Sequence, residues 1–184
     1  MQFSKCYRYC RKYRIFAYLI EQVLKRCIND IKVIHVNLET MRFIREDKNL
    51  NQADLANILK TSQSNYSRWE KGTEFIPLDK LNNYCNYFNV SMDYALGLTR
   101  KSKGNGKHKL NPKTLGLRIK IVRKMHKLTQ QDLAAMLNTT QSTISAYESG
   151  KVVILTVFAL QICQRFDISM DYLCGRINLP APIK

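Results

Sequence analysis

The sequence predicts an all-α chain of two tandem five-helix domains joined by a basic linker, and three observations carry that expectation. The first is an internal repeat at a constant offset of 78 residues. Leu50-Asn-Gln-Ala-Asp-Leu-Ala-Asn-Ile-Leu59 returns as Leu128-Thr-Gln-Gln-Asp-Leu-Ala-Ala-Met-Leu137, and Thr61-Ser-Gln-Ser returns as Thr139-Thr-Gln-Ser. Glu70-Lys-Gly72 returns as Glu148-Ser-Gly150, and Phe88-Asn-Val-Ser-Met-Asp-Tyr94 as Phe166-Asp-Ile-Ser-Met-Asp-Tyr172, with no gap needed between 40 and 98. The second is apolar spacing of three and four residues between capping residues and glycine stops in each copy. The third is composition: 184 residues at 45% hydrophobic and 24% charged suit two small domains with modest cores, and are too apolar for a disordered chain.

The elements follow in order. A first helix over about 39–48 turns Met41 and Ile44 inward, as Ile119 and Val122 do in the second copy. Asn51 reads as an N-cap, with Asp54 three places on to bond back, and Thr129 with Asp132 repeats the arrangement. That helix spans about 52–59, with Leu55, Ile58 and Leu59 on one face. A polar turn (Lys60, Thr61, Ser62; Asn138, Thr139, Thr140) leads to a second short helix over 63–70, stopped before Gly72 because glycine tolerates positive φ. Two short helices joined this way form a helix-turn-helix unit. A helix over about 78–88 presents Leu78, Leu81, Cys85 and Phe88, and a last one begins at the N-cap Ser91 and ends near Gly97.

The expected organisation is a basic extension over 1–35, domain one over 36–98, a linker over 99–113, domain two over 114–176 and a tail over 177–184. The linker holds two glycines, a proline and six cations. A flexible chain of that length has an r.m.s. span of about 20 Å and reaches about 50 Å when stretched, enough to set two domains about 34 Å apart, one turn of B-DNA.

The net charge of +16 is unevenly spread. Residues 1–35 carry eight Lys/Arg against two Asp/Glu, 36–98 seven against eight, 99–113 six against none, and 114–184 nine against four. Such a balance calls for a polyanion partner, nucleic acid or an anionic membrane surface. No apolar run approaches the ~18 to 20 residues that span a bilayer, and the N-terminus lacks the pattern of an export signal, so a cytoplasmic protein without a membrane partner is expected. The six cysteines (6, 10, 27, 85, 163, 174) form no CxxC pair and none of the three histidines stands at a ligand spacing, so they read as small core residues in a reducing compartment and no metal site is expected. Nor is any acid/base pair, nucleophile triad or phosphate-cradling glycine loop present, so the chain is read as no enzyme, with no catalytic residue and no cofactor.

These residues resemble the Cro and phage-repressor type of helix-turn-helix proteins, the XRE family, over about 38–98 and again over 115–175. The carriers are Leu50-Asn-Gln-Ala-Asp-Leu-Ala, Gln63-Ser-Asn-Tyr-Ser-Arg-Trp-Glu-Lys-Gly72 and Val90-Ser-Met-Asp-Tyr-Ala-Leu-Gly97, with their counterparts Leu128-Thr-Gln-Gln-Asp-Leu-Ala, Gln141-Ser-Thr-Ile-Ser-Ala-Tyr-Glu-Ser-Gly150 and Ile168-Ser-Met-Asp-Tyr-Leu-Cys-Gly175. The resemblance implies two lambda-repressor-like domains and a double-stranded DNA partner. It implies that Gln52 and Gln130 grip a phosphate and brace Gln63 and Gln141, which pair with adenine; a carboxamide makes two parallel bonds to that base edge. On the second helix of each unit, Ser64, Asn65, Ser67 and Arg68, and Ser142, Thr143 and Ser145, form the exposed reading face, with Tyr66, Trp69, Ile144 and Tyr147 turned inward. Arg68 would read guanine or hold a phosphate, which Ala146 does not do, so the two copies are expected to prefer different half-sites. Arg45 with Glu70, and Arg123 with Glu148, each 25 residues apart, are implied to be structural ion pairs.

The implied function is a sequence-specific transcription regulator, a repressor in the leading reading, that reads two half-sites in the major groove. The rival reading is an antitoxin-like protein that keeps the fold for pairing with a protein partner, and a homodimer is also open. Copy one has Ile76-Pro77 before its fourth helix where copy two has Val152-Val-Ile-Leu155, an apolar stretch expected to bury itself against the other domain or a second chain. Nine residues follow Gly175, too few for the further C-terminal domain many phage repressors carry. Arg14 to Ile28 reads as a basic helix for a dimer, a membrane surface or an extra DNA arm. Alternatively, Val36 is the true start and the head comes from an over-extended reading frame.

Overall fold

The computed structural model describes residues 39–180 and 182, and over them the chain folds into ten helices in two sets of five. The first set is α1 (Glu39–Asp47), α2 (Gln52–Ile58), α3 (Gln63–Glu70), α4 (Leu78–Phe88) and α5 (Met92–Ala95). The second is α6 (Pro112–Met125), α7 (Gln130–Met136), α8 (Gln141–Glu148), α9 (Thr156–Phe166) and α10 (Met170–Leu173). Both belong to one compact unit. The expectations for the basic head, a helix over 14–28 and a start at Val36, lie outside the described residues.

Local chemistry explains where each helix starts and stops. The Asn51 side chain accepts from Asp54 N at 2.9 Å while Asp54 accepts from Asn51 N at 3.1 Å, and Thr129 with Asp132 does the same at 3.1 and 2.8 Å. Ser62 and Thr140 cap α3 and α8 through the amides of Asn65 and Thr143, each at 3.2 Å. Helices α3 and α8 end at Gly72 and Gly150, with φ near +70°. Helices α4 and α9 end without glycine, at Asn89 and Asp167 in the left-handed region. Asn49, Lys60 and Asn89 have positive φ, and so do Lys127, Asn138 and Asp167 exactly one repeat later, so the duplication holds at the level of single backbone torsions.

Each set closes on its own core, with Met41, Leu55, Tyr66 and Leu81 fully buried in the first and Ile119, Leu133, Ile144 and Leu160 in the second. Ile58 departs from expectation: it is 38% exposed, and Ala56 takes the inward place beside Leu55 and Leu59. The helix is only two turns long, so its inward stripe is narrower than the apolar spacing suggested. Tyr84 was not marked by the sequence, yet it is buried and its hydroxyl donates to Met41 O at 2.7 Å, tying α4 to α1.

Gly116 sets the approach of α6 to α8. A Cβ there would collide with the carbonyl oxygens of Tyr147 and Glu148. These are backbone atoms at the end of a packed helix and have nowhere to go. Gly116→Ala is therefore expected to destabilise the second domain by about 1 to 3 kcal/mol despite alanine's better helix propensity; thermal or urea melts measure it.

The structure corrects two expectations for the segment between the sets. Helix α6 begins at Pro112, two residues before the expected domain boundary, because Asn111 caps it by accepting from Lys113 N at 2.9 Å and proline suits the first turn. The rest of the segment lies along the first domain instead of forming a free tether. Gly104 N donates to Asn89 O at 3.0 Å, Ser91 N to Ser102 O at 3.2 Å, and Lys103 forms an antiparallel bridge with Val90. His108 O accepts from Asn82 at 2.8 Å and from Asn86 at 2.7 Å, and His108 N donates back to Asn86 Oδ1 at 3.0 Å. Composition marked this stretch as flexible because it holds little to bury, but here its backbone groups find fixed polar partners.

The two sets also meet directly. The Asp93 carboxylate accepts from Met170 N at 2.8 Å and from the Ser169 hydroxyl at 2.5 Å, and Asp93 N donates to Asp171 Oδ2 at 3.2 Å. Thr156 Oγ1 donates to Ile76 O at 2.6 Å. Arg176, whose side chain is wholly buried, donates to Asp171 at 3.0 Å and to the Oδ1 atoms of Asn82 and Asn86, each at 2.8 Å. Of the apolar stretch before α9, Ile154 is buried, but Val152 and Leu155 are each more than half exposed. The expectation that the stretch buries itself against the other domain therefore fails at Val152 and Leu155.

Candidate nucleic-acid interface

The two helix-turn-helix units are built alike. In the first, Arg45 donates through Nε to Glu70 Oε1 at 2.7 Å, through Nη2 to Glu70 Oε2 at 3.2 Å, and through Nη1 to Leu50 O at 2.6 Å. Gln52 Nε2 joins Glu70 Oε2 at 2.8 Å. In the second, Arg123 reaches Glu148 at 2.5 and 3.0 Å and Leu128 O at 2.7 Å, and Gln130 reaches Glu148 at 2.9 Å. A forked guanidinium thus locks α1 to the end of α3, and α6 to the end of α8, while the same carboxylate holds the glutamine that opens the preceding helix.

The electrostatics follow from that packing. Burial alone would raise the pKa of Glu70, but hydrogen bonds from Arg45 and Gln52 and the charge of Arg45 outweigh it and hold the group below the usual carboxylate range. Glu148 is lowered in the same way, by Arg123 and Gln130 against its burial. Both guanidinium groups are raised, chiefly by hydrogen bonds to their glutamates.

Around these anchors the polar face of each second helix is open. Gln63, Ser64 and Arg68 are exposed and Asn65 and Ser67 half-buried; Gln141, Ser142 and Ser145 are exposed and Thr143 half-buried. Tyr66, Trp69, Ile144 and Tyr147 are buried behind them. In the second unit Gln141 Nε2 donates to Gln130 Oε1 at 3.4 Å, linking the two helix-opening glutamines. Ser64 bonds to the cap Ser62 at 3.0 Å, and Ser142 and Thr143 bond to the cap Thr140 at 2.8 and 2.9 Å.

Arg68 is held in a way the sequence did not show. It hydrogen-bonds to Asn65 and makes an ion pair with Glu74 at 3.0 Å. Asn65 precedes it by one helical turn, a spacing readable from sequence, but Glu74 sits beyond the glycine turn. Lys80 is a second addition: its Nζ donates to the carbonyls of Leu59 and Lys60 at 2.9 and 3.1 Å, closing the C-terminus of α2. Copy two has Phe158 at the equivalent place.

Two family models match these same units. Residues 39–100 match one described as a helix-turn-helix domain, and residues 119–173 match one described as helix-turn-helix. The chain is a protein of two tandem helix-turn-helix domains of the XRE type. One curated relative, the antitoxin PezA of Streptococcus pneumoniae serotype 4 (strain ATCC BAA-334 / TIGR4), is 31% identical over 70 residues, covering 38% of this tandem helix-turn-helix chain and 44% of the relative. The chain therefore spans less than half the length of that relative. Among the described residues no helix is long and apolar enough to cross a membrane, and no cluster of three or more His, Cys, Asp or Glu side chains could hold a metal ion. Cys85, Cys163 and Cys174 are free and buried, and burial pushes their thiols up.

Proposed function

We propose that this tandem helix-turn-helix protein is a cytoplasmic, sequence-specific regulator of transcription, acting as a repressor, that binds double-stranded DNA through both units. The observation that carries the reading is the doubled arrangement of an exposed glutamine-headed helix braced by a buried ion pair. In each unit Gln63 or Gln141 opens a polar helix whose apolar back is buried, which is the geometry a major-groove reading helix needs. Gln63 and Gln141 would pair with adenine, Gln52 and Gln130 would hold phosphate, and Ser64, Asn65, Ser67, Arg68, Ser142, Thr143 and Ser145 would face the remaining base edges. The glutamate anchor on Gln52 and Gln130 supports the bracing role, since it orients the carboxamide before DNA arrives. No catalytic step is part of this reading.

Selection of bound sequences from a random duplex pool tests it. Two adenine-containing motifs are expected, and Gln63→Ala or Gln141→Ala should lose about 1 to 3 kcal/mol, mostly at one base position. With about eight phosphates engaged, the logarithm of affinity should fall against the logarithm of salt with a slope near −7. Equal weakening on all sequences would remove the adenine-reading role.

The likeness to an antitoxin favours one second reading, in which the chain pairs with a protein partner. The exposed Leu117, Ile121 and Met125, at successive four-residue steps along α6, are where such a partner would rest. A stoichiometric protein that co-purifies with the chain, and is released by Ile121→Lys, would favour it.

A further inference from the structure

We propose that the two domains form a covalent pseudo-dimer, so that a single chain reads an inverted pair of unequal half-sites at one fixed spacing. This rests on the DNA-binding reading above and adds the operator's orientation, symmetry and stoichiometry.

The contact pattern between the two sets carries the inference. Copies related by translation along the chain touch head to tail, so that one surface of the first meets a different surface of the second. Here a residue touches its own counterpart. Asp93 and Asp171 are one repeat apart, and Asp93 N donates to the Asp171 carboxylate. The Asp93 carboxylate in turn sits on the first amide of α10, at Met170, and on its cap, Ser169. Each aspartate therefore closes the N-terminal turn of the other copy's last helix. Away from that point, Ile76 meets Thr156, the counterpart of Leu78, only two residues from Ile76 itself. The same surface of both copies is used, which is the signature of a two-fold relation with its axis passing between α5 and α10.

A two-fold axis orders the reading helices. Helices α3 and α8 are carried in opposite senses along a duplex, matching the dyad of an inverted repeat and not a direct one. The spacing is fixed because the segment joining the copies is hydrogen-bonded along the first domain, and Arg176 bridges Asp171, Asn82 and Asn86 across the join. The symmetry is broken where the sequences differ. Gln63 and Gln141, Ser64 and Ser142, and Ser67 and Ser145 are matched, but the counterpart of Asn65 is Thr143 and that of Arg68 is Ala146. The operator is thus palindromic under the glutamines and unequal under positions 65 and 68. Helices α5 and α10 thus spend their contact surface on each other within one chain.

The full chain, with half-sites taken from pool selection, tests this. Duplexes carrying the two halves inverted, direct or everted, at spacings stepped by one base pair, are compared by gel shift, and the mass of the complex is measured. The expected result is one chain per duplex, inverted order, and a loss of about a hundredfold when the halves are moved by half a helical turn, as linked modules lose their joint binding. The double variant Asn65→Thr with Arg68→Ala touches only exposed and half-buried residues of α3, and it should shift the selected operator toward a perfect inverted repeat. Specific binding to a direct repeat, to halves at any spacing, or by two chains per inverted site overturns the pseudo-dimer while leaving the DNA reading in place. An equal grip on every duplex overturns both.

Discussion

Glu148→Ala is expected to lower the stability of the second domain by about 3 to 5 kcal/mol, because it leaves the buried Arg123 guanidinium without a counter-charge. The side chains of this pair are 9% and 4% exposed, so water does little to replace the lost partner. The loss extends to the reading face. Gln130 loses its 2.9 Å anchor and with it the fixed position from which it meets Gln141. Urea melts should show a lowered midpoint, and duplex binding by the second unit should weaken even where the domain remains folded. The acid behaviour follows from the same carboxylate. Its pKa is depressed in the folded state, so its contribution is present above the unfolded value and is lost as pH falls through the folded one. Stability of the native chain should therefore decline below about pH 4. Glu148→Gln, which removes the titrating group, should flatten that decline.

Arg176→Ala is expected to separate the two domains. The guanidinium is the counter-charge for Asp171 in a buried site that also holds Asp93, and its removal leaves two carboxylates facing each other without a cation. Removing one partner of such a pair costs about 3 to 5 kcal/mol. Here the cost falls on the join, since the donors to Asn82, Asn86 and Asp171 all leave together. Calorimetry should give one transition for the native chain and two for the variant, and amide exchange should rise at Met170 and Asp93. Asp93 makes the effect depend on pH. Its burial, and then the charge of Asp171, push its carboxyl up to about 6 against the hydrogen bond from Ser169. A raised folded pKa in an acid means its stability contribution is full below the unfolded value, near 4, and declines as pH rises through about 6. The variant should therefore recover part of its coupling at pH 5 and lose most of it at pH 8. No pH dependence in the variant would mean that Asp93 does not change its charge between those pH values.

The reading units were legible because their signals are local. Asn51 with Asp54, Ser62 and Gly72 fall within one or two turns of the helices they start or stop, so spacing along the chain already encodes the interaction. The Arg45–Glu70 and Arg123–Glu148 pairs span 25 residues and came from the family resemblance; nothing in their spacing alone would have joined them. Ile58 shows where periodicity overreaches, since a two-turn helix has room for fewer inward residues than the pattern supplies.

What the sequence by itself determined was the duplication, the helices and the polar face each copy presents, all consequences of caps, turns and amphipathic spacing that act over a few residues. The tertiary structure alone decided how the copies meet. Asp93 and Asp171 read along the chain as first-turn acids of their own short helices, but each turns to the opposite copy. The linker's composition describes a tether, yet its carbonyls and amides are held by Asn82, Asn86 and Asn89. The pairings between the copies join residues 76 to 94 positions apart, and even those of the linker with Asn82 and Asn86 reach across 22 to 26; polar side chains carry no mark of so distant a partner until the cores have folded and brought them together.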